Sequence, residues 1–393
     1  MTVEEIIQSE IAKAGGILNL NDLDPTYKNY LEMQTDRFQK ACNNIVDQVK
    51  SITKITVKII DNFGVNAFAV GADGVYFIGI NRGLMATVSL IFSRLFADKQ
   101  FMNFVGDVSQ EDENLVLIPN LYPNFEATVD TLPSFSPPKN LIRKEYARLF
   151  SWLALDFTIA HELGHIIRGH CDYYLKKMKL NLDEVSKLSE KQEFKLERKV
   201  LEMDADRWAC TMLLSTELNR CMGKLGIPGD HWKNVYKNPG MVLLNYSTIV
   251  STVFKIFGDL RLDYIPFEEQ TYPVPRIRKL ISSLRIANHP DFKSINSKMK
   301  YDVDSDGVPI HVEMAFRSVE QGFKLVTGKD QDEKSANLAK GKEGRRQINI
   351  LRKHWNDIVI EKLRTHSHIK LNKIKLLNKE AASNRVDGPT SDN

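Results

Sequence analysis

Cysteine is scarce in this chain: it occurs four times in 393 residues, at positions 42, 171, 210 and 221, and no two form a C-x-x-C pair. That spacing offers neither a disulfide framework nor a cysteine zinc cluster, and it fits a reducing cytosol, so a cytoplasmic location is expected. Long apolar runs are also missing. The one rival for a membrane span, Met241 to Gly258, is 18 residues long and contains Asn245, Ser247, Thr248, Ser251, Thr252 and Lys255. A span takes about 20 mostly apolar residues, so a buried helix and no membrane crossing are expected. The first residues, MTVEEIIQSEIAKAGG, have no basic stretch ahead of an apolar one, so no signal peptide is expected. Internal repeats and low-complexity tracts are absent. Hydrophobic residues make up 42% and charged residues 26%, which sets the chain among globular proteins with room for two or three domains.

Proline is absent between Lys139 and Ile227, which predicts long helices there, and the chemistry lies inside that interval. Thr158 to Cys171 reads TIAHELGHIIRGHC. His161 and His165 are four residues apart, so on a helix they share a face with Cβ atoms about 5 to 6 Å apart. That spacing suits one small tetrahedral cation. Glu162 lies about 100° round the helix, where its carboxylate reaches a water beside the metal and not the metal itself. Two imidazoles, a carboxylate that does not ligate and an open position describe a zinc hydrolase, in which zinc brings the pKa of water to about 7 and glutamate accepts the proton. The preceding run, LFSWLALDFTIA, is apolar enough to bury the helix, and a buried helix does not carry such polar residues without partners. Gly164 costs a helix interior roughly 1 kcal/mol, which points to another backbone passing close to the metal.

Two candidates compete for the third ligand. His170 lies five residues beyond His165, about 140° round the helix and facing away; a helix-terminal histidine favoured by the dipole is the plainer reading. Glu202 is the better candidate. Asp183 to Leu218 contains no proline or glycine and has apolar residues at helical spacing, so it is expected to form a second long helix. On it Glu202 and Asp206 share a face, so Glu202 can ligate while Asp206 accepts the outer N–H of a ligating histidine and fixes its tautomer. Asp204 is expected to be solvated and Arg207 to be a surface charge.

HELGH followed by E-x-D-A-D-R-x-A resembles the gluzincin metallopeptidases of the HtpX and CAAX-prenyl-protease type. The resemblance implies a zincin fold with Glu202 as third ligand. VNAFAVGADGVYFIGINRGLM, from Val65 to Met85, resembles that family's N-A-F-A strand, hairpin and G-L helix start. It implies that Asn66, Ala67 and Phe68 line the cleft and hold a peptide by strand addition. TYPVPRIRKL, from Thr271 to Leu280, resembles the family's H-P-x-x-x-x-R-I segment, which contacts the transition state. Tyr272 stands where the family has histidine, and either Arg276 or Arg278 takes the arginine position. A tyrosine hydroxyl can donate to an oxyanion in place of an imidazole. HELGH in a cytosolic protein also resembles the Lit-type phage-exclusion peptidases and the repressor-cleaving peptidases of mobile elements.

Elsewhere the pattern predicts a short helix from Thr2 to Ala14, stopped by Gly15 and Gly16, and a second from Asp24 to about Ser51. Strands follow at Ile55 to Ile60, Ala67 to Gly71 and Val75 to Ile80, the last two joined by Ala-Asp-Gly, a strong hairpin signal. A buried helix runs from about Leu84 to Phe96. Asp98 to Lys139, rich in turn formers, is expected to border the cleft, and the lysine-rich connection Asp172 to Leu182 to be solvated. Asp302, Asp304, Asp306, Gly307 and Glu313 match a calcium-loop pattern, although Pro309 sits at the position that normally pairs as a strand, and an acidic turn before a helix is the alternative. From Lys340 to Glu380 the chain carries 12 Lys or Arg against 4 Asp or Glu, a local balance of +8 where the whole chain is +4, so the remainder is −4. Arg345 to Arg364 forms an amphipathic helix with Ile348, Leu351, Trp355, Ile358 and Leu363 on its apolar side. It is either an arm for an anionic partner or a helix docked on the body with a solvated basic face.

The expectation is a mainly helical α+β protein: a zincin-like metallopeptidase domain with a small antiparallel sheet and two long metal-bearing helices. Its domains are an N-terminal helical segment (1–52), the catalytic domain (53–327), a linker (328–344), a basic helical segment (345–380) and a disordered tail (381–393). One zinc is held by His161, His165 and Glu202; Glu162 activates water, and Tyr272 or a nearby arginine steadies the oxyanion. The substrate is a peptide or protein. The competing classes are a non-catalytic interaction protein stabilised by a metal and a basic-tailed nucleic-acid binder.

Overall fold

The computed structural model describes residues 2–113, 115, 117, 137–180, 192–227, 230–236, 239–258, 289, 307–328 and 342–374. The protein is mainly helical with one three-stranded sheet. Helix α1 (Val3–Ala14) opens with a capping box between Thr2 and Glu5 and stops at Gly15, whose φ of 117° is left-handed. Helix α2 (Pro25–Gln48) has proline in its first turn and Asp24 as its cap.

Strands β1 (Lys54–Ile60), β2 (Ala67–Ala72) and β3 (Val75–Asn81) are ordered β1-β3-β2. The β2–β3 hairpin turns on Asp73 and Gly74, both at positive φ, and is antiparallel. β1, however, pairs with β3 in parallel, so the sheet is mixed and the expected all-antiparallel sheet is corrected. The hairpin signal governs only the two strands it joins. β3 is almost wholly buried and takes the centre, while residues 61–66 carry the chain past it to the far edge. Strand alternation sends Tyr76, Ile78 and Ile80 into the main core and Phe77 toward α1, where it packs with Ile7, Ile11 and Ile60.

Helix α3 (Arg82–Phe96) leads into turns, and helix α4 (Leu141–Ile167) then runs through the middle of the core. α4 packs above all against α6 (Gln192–Cys221) and α3, and also against β2 and α7 (Pro239–Gly258). α7 is long and apolar enough to pass for a membrane span, but 83% of its most apolar window is buried inside the fold. Between α4 and α6 the sequence suggests a solvated connection, yet His170–Leu180 is a helix, α5. Asp172, on its first turn, accepts from the Asp73 N–H and the Tyr76 hydroxyl at 3.0 and 2.6 Å, so this stretch docks on the hairpin turn. The expected start of the second ligand helix, Asp183, lies outside the described residues.

Helix α8 (Gly307–Thr327) crosses α7. It begins at Gly307, the turn glycine of the calcium-loop pattern, and runs on through Glu313, which pairs with Arg317 at 3.3 Å. Asp302, Asp304 and Asp306 lie outside the described residues. Helix α9 (Lys342–His354) continues through a π-helical turn, Trp355–Val359, into a last turn, Ile360–Leu363. Its apolar side is covered by Val200, Leu201 and Met203 of α6. Ile348, Leu351, Trp355 and Leu363 are buried as the pattern predicts, but Val359 and Ile360 take the place of Ile358, because the wide turn shifts the register by a residue.

Candidate metal centre

The geometry of the site follows from how closely α4 and α6 cross. A Cβ on Gly164 would meet Ala205 Cα at 3.2 Å and its carbonyl oxygen at 3.3 Å, so glycine against alanine lets the two backbones approach. The approach brings Glu202 opposite the two histidines of α4. His161 Nε2 and His165 Nε2 are 3.1 Å apart, His161 Nε2 is 3.3 Å from one Glu202 carboxylate oxygen, and His165 Nε2 is 3.8 Å from the other. Zinc with bonds of about 2.0–2.2 Å in a tetrahedron separates its ligand atoms by roughly 3.3–3.6 Å. These three residues can therefore hold a metal ion on one shared point. Their side chains remain 12–14% exposed.

Asp206 sits one turn beyond Glu202, and its carboxylate is 2.9 Å from His161 Nδ1. This is the supporting contact predicted from the four-residue spacing. Burial opposes the imidazolium of His161, but the bonds to Asp206 and Glu202 outweigh it and hold the pKa at about 10 without a metal. His165 goes the other way: burial and the neighbouring imidazoles push it down to about 3. Glu162 is 6% exposed, and burial raises its carboxyl to about 7 against the pull of His161. Its carboxylate accepts the Ala69 N–H of β2.

Two residues expected to be incidental are not. Asp204 is not solvated: it is buried, held by Arg168 through a two-pronged pair with one contact of 2.8 Å, and has Arg207 Nη1 at 3.8 Å. Burial opposes its charge, but Arg168, His170 and Arg207 bring its pKa down to about 2. Arg207 is therefore half-buried against Asp204 and not a surface charge. His170 does not end the helix. The chain breaks at Arg168 and Gly169, the latter at φ 78°, and His170 opens α5, fully buried. The break cancels the rotation that a continuous helix would impose, so His170 Nδ1 lies 3.0 Å from His165 Nδ1. The glycine that makes this possible was visible in the sequence.

Ala67 shares the outward edge of β2 with Ala69, because backbone orientation alternates along a strand. Asn66 accepts from the Asn81 N–H at the end of the strand. The Phe68 ring turns to the other face, packed on Phe77 under α1, so only its backbone is near the site. Tyr272, Arg276 and Arg278 lie outside the described residues. Compared with family models, curated proteins and solved structures, the chain matches none.

Proposed function

We propose that the protein is a zinc-dependent metallopeptidase in which Glu162 is the general base and His161, His165 and Glu202 hold the metal. The observation that carries this reading is the convergence of the three ligand atoms at 3.1–3.8 Å, with a carboxylate beside them that takes no part in it. A zinc ion bound there supplies a Lewis acid for the scissile carbonyl and for the attacking water. Glu162, fixed through Ala69, takes the proton from that water and returns it to the leaving amine. Asp206 keeps the proton of His161 on Nδ1 and its Nε2 free to ligate. β2 is an edge strand, so the outward backbone groups near Ala67 can pair with an extended peptide running past Glu162. Tyr272 or a nearby arginine, Arg276 or Arg278, remains the proposed oxyanion donor.

Metal content by mass spectrometry, on protein purified without chelator, tests the reading. Wild type and Glu162→Gln should carry about one zinc per chain and Glu202→Ala much less, as three protein ligands require. Peptide-library cleavage should then fall by about 10²- to 10⁴-fold in Glu162→Gln. Zinc indifferent to Glu202→Ala, or none in any sample, would overturn the assignment in favour of a non-catalytic interaction protein.

A further inference from the structure

The two histidines that face the metal point have unequal support. His161 rests directly on a carboxylate, as ligating histidines commonly do. Among the described residues His165 has no carboxylate at its outer nitrogen and instead meets a second imidazole, His170, at 3.0 Å. Behind His170 the arrangement continues: its Nε2 is 3.4 Å from Asp204 Oδ2, a polar contact longer than a well-formed hydrogen bond. Asp204 is gripped by Arg168, and the Arg168 guanidinium lies 5.4 Å from the ring centre of Trp355 in the π-helical turn.

We infer that His170 is a positioning residue for the metal ligand His165, and that Asp204, Arg168 and Trp355 hold it in the required tautomer. The inference rests on the zinc reading above and follows from proton counting. If His165 ligates through Nε2, the nitrogen aimed at the shared point, its only N–H is on Nδ1. That N–H donates to His170 Nδ1, which must then be bare, so the His170 proton is on Nε2, facing Asp204. The opposite tautomer would set two N–H groups against each other on one side and two bare acceptors, Nε2 and carboxylate, on the other. Arg168 and Arg207 keep Asp204 charged and in place. His161 is thus steadied by one residue, and His165 by a row that reaches the C-terminal helix.

A near-isosteric pair of variants tests this. His170→Asn keeps an acceptor at the δ1 position, whereas His170→Leu has a similar shape and none. Zinc affinity, measured by competition with a chromophoric chelator, should fall about 10- to 100-fold in His170→Leu and stay within about threefold of wild type in His170→Asn. The visible spectrum of the cobalt-loaded protein should change in His170→Leu alone. Equal losses in the two variants, or no loss in either, would overturn the inference while wild-type zinc binding leaves the ligand assignment standing. Wild type that binds no zinc overturns both. A second measurement needs no variant: in the zinc-loaded protein, nitrogen-15 shifts should place the His170 proton on Nε2, and a proton on Nδ1 would refute it even if the variants fail to fold.

Discussion

At its N-terminal end α4 is anchored by one buried arginine in a cage of carbonyls, and at its C-terminal end by α6 and by the backbone of residues 366–368. Asn140 caps the first turn, accepting from the Ile142 and Arg143 N–H groups at 3.1 and 3.2 Å. One helical turn on, Arg143 is fully buried and donates to five carbonyls, those of Phe96, Asp98, Phe101, Met102 and Val105, with the buried Glu111 carboxylate 3.6 Å away. At the other end Ile167 gives its carbonyl to the His368 N–H, Arg168 pairs with Asp204, and Gly169 lies under the His366 backbone. The first end is a rigid footing that touches no ligand. The second is a junction where any displacement reaches His165.

If that division is right, damage at the two ends should differ in kind. The largest effect on stability is expected from Arg143→Met, which leaves five buried carbonyls without their donor and removes the cation beside Glu111. Urea denaturation should show a loss of about 3–5 kcal/mol, with zinc affinity of the folded fraction unchanged. A tenfold loss of affinity there would erase the distinction. Gly169→Ala should cost about 1–3 kcal/mol from backbone strain alone, and its Cβ would lie 2.4 Å from the His366 carbonyl carbon. Chelator competition should therefore show weakened zinc binding as well, the opposite signature.

Asp172→Asn sharpens the comparison through pH. Burial opposes the Asp172 charge, but His368, Tyr76 and the Asp73 N–H outweigh it, so its folded pKa lies below the usual carboxylate value. A depressed carboxylate contributes stability above about pH 4 and loses it as pH falls through the folded pKa. The variant should be about 1.5–3 kcal/mol less stable than wild type at pH 7, the gap closing in acid. A constant gap in denaturation midpoints across pH 2 to 7 would show that the charge is not what matters. Asn140→Ala is the mildest, about 1 kcal/mol in the same assay and no change in zinc binding, since it removes a cap and one side-chain bond to Gln110.

Much of this was legible because it is local. Capping residues, the Asp-Gly turn and the four-residue spacings of His161 with His165 and Glu202 with Asp206 are decided within a turn or two of chain. The sheet was misread where the decision is not local: nothing near β1 says that β3 will lie beside it in parallel. His170 was misjudged because the angular argument assumed an unbroken helix, and one left-handed glycine invalidated it. Asp204 was misplaced for the same reason, since its partner Arg168 became available only at that break. Trp355 was read correctly as core, but no spacing rule connects it with a residue so far back in the chain.

The join between Ile167 and Ser367 spans 200 residues of sequence. A ribosome adding about 5–20 residues per second makes Ser367 roughly 10–40 s after Ile167. Throughout that interval the growing chain already has both histidines, Glu162 and soon Glu202, but not the segment that closes over Gly169 or the indole beside Arg168. The residues of the candidate metal centre are therefore made long before the segment that braces them.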